Sequence, residues 1–309
     1  MGKKFSGVSQ TMSRFRGWIQ AGATLLTNLH LPNFLKGGLY QGAGKTVCVP
    51  GLNCYSCPAA SGACPIGALQ AVVGSSKFSF SYYITGFLIL LGVLLGRFIC
   101  GFLCPFGWFQ ELLHKIPTKK LSTKRLKPLT YLKYAVLLVM VFLLPAFLVN
   151  DVGMGDPFFC KYLCPQGVLE GAIPLSLANS GIRAALGKLF TWKFSILLSV
   201  IALSVLFYRP FCKWLCPLGA FYALFNRVSL FQMKVDKNKC VSCGKCAKAC
   251  KMDVDVTKTP NHAECIRCGM CIRACPTNAV CFRYGFGDGK DKAAETPRKN
   301  QNNKEEQNI

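Results

Sequence analysis

CVSCGKCAKAC (Cys240–Cys250) and CIRCGMCIRACP (Cys265–Pro276) are the two stretches on which the reading of this chain turns. Both set their cysteines in the order C-x2-C-x2-C-x3-C. Gaps of two residues let three thiolates wrap one face of a [4Fe–4S] cube, and the fourth cysteine of each run reaches across to the other cube. That rule assigns Cys240, Cys243, Cys246 and Cys275 to one cluster and Cys265, Cys268, Cys271 and Cys250 to a second. Zinc knuckles and disulfides also use cysteine, but zinc sites favour paired C-x2-C units with longer gaps. Lys251 stands where the second run has Pro276, which leaves room for a different backbone after Cys250.

This is the ligand run of a bacterial two-cluster ferredoxin, and it predicts a small α+β domain over 231–284. The remainder does not read as a soluble ferredoxin. The chain has 309 residues, enough for two domains, and is 51% hydrophobic. Its apolar residues fall in runs: Ser81 to Ile99, Tyr131 to Val149 and Thr191 to Tyr208. At ~1.5 Å per residue each covers most of a ~30 Å hydrocarbon core, so three membrane spans are expected. Trp18 to Leu35 is a fourth apolar stretch, interrupted by Asn28, His30, Pro32 and Asn33; it either spans or lies in the interface. The N-terminus shows no signal-peptide cleavage pattern, and the segment is expected to be retained.

The formal charge of +24 invites a nucleic-acid reading, but its distribution has a better explanation. The connection from Arg97 to Lys133 holds eight Lys or Arg and one acid, Glu111, whereas Asp151 to Phe190 holds three bases and three acids. Positive loops stay in the cytoplasm, so 97–133, the N-terminus and the ferredoxin segment are expected inside and 151–190 outside. The expected organisation is a cytoplasmic N-terminus (1–16), a transmembrane cysteine-motif domain (17–230), the ferredoxin domain (231–284) and a disordered tail (285–309). Such a chain is an α-helical integral membrane bundle of three or four helices in the bacterial plasma membrane, in contact with lipid and not with nucleic acid.

A repeat organises the membrane half. Cys64-Pro-Ile-Gly-Ala-Leu, Cys104-Pro-Phe-Gly-Trp-Phe, Cys164-Pro-Gln-Gly-Val-Leu and Cys216-Pro-Leu-Gly-Ala-Phe resemble one another. Three carry a cysteine four residues earlier, Cys100, Cys160 and Cys212; the first instead has Cys54 and Cys57 upstream. Proline after cysteine suits a first helical turn, where its missing N–H costs little. The positive end of the helix favours a thiolate. Cys100, Cys104, Cys212 and Cys216 fall on the inner side and make one set of four. Cys57, Cys64, Cys160 and Cys164 make the preferred outer set, with Cys54 as the alternative to Cys57 and a disulfide as the rival to a cluster, because disulfides persist outside the cytoplasm. Each half then reads as span, outer motif, span and inner motif, which implies a pseudo-two-fold arrangement. Cys48 and Cys281 are left over as packing residues, and a Cys48–Cys54 disulfide stays open.

These motifs resemble the membrane polyferredoxin family: C-x3-C-P pairs in a helical membrane domain, followed by a two-cluster ferredoxin. Relatives include the membrane quinol-dehydrogenase subunit of periplasmic nitrate reduction, the C-terminal part of the nitrous-oxide reductase regulatory flavoprotein and a copper-reducing oxidase assembly factor. The resemblance covers roughly 15–283. It implies [4Fe–4S] clusters and electron transfer at or across the cytoplasmic membrane, with quinol, flavin or an exported reductase as the other party. The expected role is that of an electron-transfer subunit of an oxidoreductase complex, with two clusters in the ferredoxin domain and two more in the membrane domain.

Lys237, Lys239, Lys245, Lys248 and Lys251 crowd the first run, and Arg267 and Arg273 sit in the second. They read either as a face beside anionic lipid or as a dock for an acidic carrier such as a flavoprotein, flavodoxin or ferredoxin. A quinol dehydrogenase or metal reductase using His30 or His114 for proton transfer is one alternative. A redox-sensing regulator is another, although no DNA-binding fold is legible around the basic loop 119–127.

Overall fold

The computed structural model describes residues 2–75, 81–151 and 153–285. The tail expected to be disordered therefore lies outside the described residues, apart from Gly285. In chain order the elements that position the site are α1 (Gly2–Arg14), α2 (Arg16–Thr27), α3 (Pro65–Gly74), α4 (Tyr82–Leu95), α5 (Phe98–Phe102) and α6 (Pro105–His114). They continue with α7 (Arg125–Phe147), α8 (Gly167–Ala178) and α9 (Lys188–Leu206). After these come α10 (Pro210–Trp214), α11 (Pro217–Phe225), β1 (Phe231–Val235), α12 (Lys245–Ala249), α13 (Met270–Ala274) and β2 (Val280–Tyr284).

Among the described residues, two helices are long and apolar enough to cross a membrane: α7 with 23 residues and α9 with 19. Only 28% and 17% of their apolar windows are buried, so neither helix is covered all round by the rest of the chain. Phe147, Leu138, Trp192 and Leu198 all point outward, and so large an apolar surface calls for apolar surroundings. The turns of α7 widen over Leu137–Leu143 just ahead of Pro145, where a proline ring crowds the preceding turn and leaves it without an N–H.

Neither of the other two apolar stretches forms one long helix. The run Ser81–Ile99 is not one helix, because α4 ends at Leu95 and Gly96 takes φ +53°. Its 14 residues reach only ~21 Å, short of a ~30 Å core. Arg97, at the break, is fully buried. Trp18–Leu35 is likewise interrupted: α2 stops at Thr27, and the chain turns through Asn28–Pro32 into a four-residue helix.

β1 and β2 pair antiparallel, with Phe231 opposite Tyr284, Met233 opposite Phe282 and Val235 opposite Val280. α1 lies on this ribbon, where Ser9 Oγ accepts the Phe282 N–H at 3.0 Å. One small core joins Phe102 to Met233, Val280 and Phe282. A larger one runs through the helices and takes in Met252, Val254 and Ile266 from the ferredoxin loops. The two halves of the chain thus share a core.

Buried ion pairs lock the same seam. Glu264 accepts from Arg97 Nη1 at 2.9 Å and from Lys133. Lys213 pairs with Asp253 at 2.9 Å. Arg97 just after α4, Lys133 on α7 and Lys213 on α10 therefore all meet the ferredoxin unit.

Candidate iron–sulfur sites

Each ferredoxin run is bent by three residues of left-handed backbone at matching offsets. They are Ser242 (φ 53°), Gly244 (68°) and Asp253 (58°) in the first run, and Arg267 (52°), Gly269 (77°) and Asn278 (52°) in the second. Such turns gather backbone N–H groups toward one point and suit an anionic centre. The Ala279 N–H donates to Cys275 Sγ at 3.3 Å. Cys250 (φ −76°, ψ 106°) and Cys275 (φ −83°, ψ 114°) leave their helices almost identically. The different backbone allowed for after Cys250 is therefore not found. The extended geometry that a following proline demands arises there without one, from the turn that reaches Asp253.

One apolar cavity is lined by Cys240, Cys243, Cys246 and Cys275. A second is lined by Cys250, Cys265, Cys268 and Cys271. The fourth cysteine of each run thus faces the other run's cavity. All 19 cysteines are free thiols. Among the described residues no His, Cys, Asp or Glu group closes around a single metal ion. Burial and the neighbouring Cys268 push the Cys265 thiol up to about 12, and burial raises Cys250 and Cys271 as well. Thiols so placed ionise together only with positive charge between them. The donor chemistry fits an iron–sulfur cube. Cys275 differs: burial would raise it, but the Thr277 hydroxyl and the backbone N–H groups around Ala279 outweigh that and lower it.

The four C-P motifs share one geometry. Cys64, Cys104, Cys164 and Cys216 are extended, with ψ of 125°, 115°, 113° and 111°. Pro65, Pro105 and Pro217 open α3, α6 and α11. The motifs gather in pairs. Cys104 lies within electrostatic reach of Cys100 and Cys212, and Cys216 within reach of all three. The other set holds Cys160 near Cys164, Cys64 and Cys54, with Cys54 also near Cys164 and Cys64.

Cys57, the preferred outer residue from sequence, is not in that set. The turn in which the Cys57 N–H donates to the Cys54 carbonyl at 3.1 Å places its sulfur 3.6 Å from Asn28 Oδ1, packed with Ala59 and Ala60. Cys54 takes the place beside Cys164. Cys48 sits near Cys64, and Cys281 lies on β2 opposite Lys234; neither is in a disulfide.

One residue beyond the hexapeptide repeat lies a position that the sequence reading missed. The sixth residue after each motif cysteine is Gln70, Gln110, Glu170 and Tyr222. Gln70 Nε2 donates to Cys160 Sγ at 3.2 Å, and its Oε1 accepts the Phe159 N–H at 2.9 Å. Gln110 does the same in the other set, donating to Cys212 Sγ at 3.1 Å and accepting from the Phe211 N–H at 3.2 Å. Glu170 accepts the Cys54 N–H at 3.1 Å, and the Tyr222 hydroxyl donates to the Pro50 carbonyl at 3.1 Å. A polar residue recurring inside apolar helices was the available signal.

Close backbone contacts link neighbouring sets. Gly101, next to Cys100, abuts the Ile266 carbonyl, one residue from Cys265; any β-carbon there would overlap that oxygen. Arg16 and Tyr208 lie within reach of Cys268, while Arg209 donates to the Cys100 carbonyl. Glu111 sits among them, held by Arg16, Tyr208 and Arg209. Burial would raise its carboxyl, but Arg209 and Arg16 outweigh that and lower it. Between the two C-P sets, Tyr222 reaches Cys100, Cys104 and Cys64 at once. A β-carbon on Gly51 would stand 2.9 Å from Cys104 Cα, and Gly51 is three residues from Cys54, at most ~11 Å of chain.

Of the basic residues read as a patch, Arg267 is buried. It donates to the Leu95 carbonyl at 2.8 Å, and to the Asn226 carbonyl and Ser229 Oγ at 2.7 Å each. His30 stacks on Tyr40 at 3.7 Å, and His114 Nδ1 is 3.3 Å from the Ser204 carbonyl.

A family profile described as "4Fe-4S binding domain" matches residues 62–82, 79–124, 133–173 and 189–238, one match per C-P motif. A "4Fe-4S dicluster domain" profile matches 232–276. An uncharacterized protein of Methanocaldococcus jannaschii is 32% identical over 209 residues, 64% of this chain and 77% of the relative. The putative electron transport protein YccM of Escherichia coli is 26% identical over 180 residues, 55% of this chain and 45% of that protein. The ferredoxin-type protein NapH of Haemophilus influenzae is 26% identical over 152 residues, 36% of this chain and 53% of that protein. No solved structure matches the chain. Cysteine spacing, thiol geometry and these likenesses lead to one assignment: the chain belongs to the polyferredoxin-like family of iron–sulfur electron-transfer proteins.

Proposed function

We propose that this chain is a membrane-embedded conductor of electrons holding four [4Fe–4S] clusters. The ligand sets are Cys240/Cys243/Cys246/Cys275, Cys250/Cys265/Cys268/Cys271, Cys100/Cys104/Cys212/Cys216 and Cys54/Cys64/Cys160/Cys164. Each cluster supplies reversible one-electron storage when bound. The observation that carries the reading is the closeness of the thiol sets, where Gly101 meets Ile266 and where Tyr222 lies near cysteines of both C-P sets. Neighbouring sets in such contact are what stepwise electron movement requires.

The two C-P sets repeat the same glutamine contacts, which supports a pseudo-two-fold membrane domain (17–230). The exposed apolar faces of α7 and α9 support membrane residence. The excess of Lys and Arg in 97–133 supports a cytoplasmic ferredoxin unit. The exposed Lys237, Lys239, Lys245, Lys248 and Lys251 around the first run offer a dock for an acidic redox partner of the flavodoxin or ferredoxin kind. At the far end, the Cys54 set faces an acceptor or quinone in or beyond the membrane.

Iron and acid-labile sulfide counting with EPR on anaerobically purified protein tests this reading. Four cubanes per chain are expected. Two would confine the redox role to the ferredoxin unit.

A further inference from the structure

We propose that Gln70 and Gln110 are positioning residues that set the reduction potentials of the two C-P centres, each by donating a hydrogen bond to one ligand sulfur. The inference rests on reading those sets as iron–sulfur ligands. Each glutamine is fully buried, so water does not compete for its amide. The orientation of the amide is fixed by its surroundings. Oε1 accepts a backbone N–H, from Phe159 at 2.9 Å or Phe211 at 3.2 Å, and that group only donates. The amide NH2 must then face the other way. It lies 3.2 Å from Cys160 Sγ in one set and 3.1 Å from Cys212 Sγ in the other. A second contact goes to the carbonyl one turn back, Ile66 or Phe106, at 3.3 Å in each case. Donor and acceptor capacity are both used, and used in the same way in both copies of the repeat.

A donor on a ligand sulfur favours the reduced, more electron-rich centre. It also ties the helix carrying one motif to the cysteine of its partner motif, so the residue contributes both aim and potential.

The test uses the full chain with Gln70→Met and Gln110→Met, which keep length and burial but lose the donor. Midpoints are read by EPR-monitored redox titration, and the sulfur contact by exchangeable-proton hyperfine coupling in D2O. Each variant should keep wild-type iron and move a different single wave. The reduced-to-oxidised ratio at fixed potential should fall about tenfold, ~59 mV more negative for one electron, with loss of one exchangeable coupling. Unchanged potentials and couplings with full iron would overturn the proposal. Should a Met variant lose iron, Gln→Leu supplies a second side chain without a donor; full iron with an unmoved midpoint in that variant would assign these residues to assembly alone. A wild-type protein with only two cubanes would fail the ligand reading itself, before this test applies.

Discussion

At the residue scale, the neighbouring cysteines 54 and 57 have different fates. Cys54 lies with Cys64, Cys160 and Cys164, whereas Cys57 faces Asn28. Cys54→Ser should therefore cost one cubane's worth of iron and one EPR signal, while Cys57→Ser should keep both, measured by iron analysis on purified protein. Glu264 gives a second prediction. Burial would raise its carboxyl, but Arg97 and Lys133 outweigh that and hold it below its ordinary value. A depressed carboxyl contributes stability above the unfolded value of ~4.3, and the contribution is lost as pH falls through the lower folded value. The melting-temperature gap between wild type and Glu264→Gln should be widest above that pH and close below it. Glu264→Ala leaves two buried cations unpaired, a loss of about 3–5 kcal/mol.

At the element scale, the contact between the loop after α4 and the second ferredoxin run is set by backbone shape. Gly101 lies on α5 against the Ile266 carbonyl, where a methyl group has no room. Gly101→Ala should push the two loops apart. All four EPR signals should remain, but rapid-mixing traces should show slower reduction of the C-P centres from the ferredoxin side, by tenfold or more. α4 illustrates how sequence can mislead at this level. Its apolar run continues past Leu95 to Ile99, yet Gly96 turns the chain so that Arg97 reaches Glu264. The charge that looked like the end of a span is a structural pin.

At the scale of the whole molecule, apolar helices turned outward and a strongly basic ferredoxin face present two different surfaces. The protein should stay in the membrane fraction through alkaline carbonate and high-salt washes and come out only with detergent. Electron exchange with an acidic carrier should slow as ionic strength rises, because exposed charges more than ~10 Å apart are screened at ~0.1 M salt. A stopped-flow rate indifferent to salt would remove the docking role from the lysines around the first run.

Local spacing was enough to define the two C-x2-C-x2-C-x3-C runs and the helix starts at Pro65, Pro105 and Pro217. Those features depend on short-range geometry: two-residue gaps, and proline at the first helical position. Three things needed the folded chain. The choice of Cys54 over Cys57 depends on a turn that packs against Asn28, far away in sequence. The shortening of the Ser81–Ile99 span depends on Glu264, 167 residues beyond Arg97. The roles of Gln70 and Gln110 depend on sulfurs 90 and 102 residues away. Spacing records which side chains share a turn of helix; which distant side chain they meet is decided only when buried polar groups find partners in the packed interior.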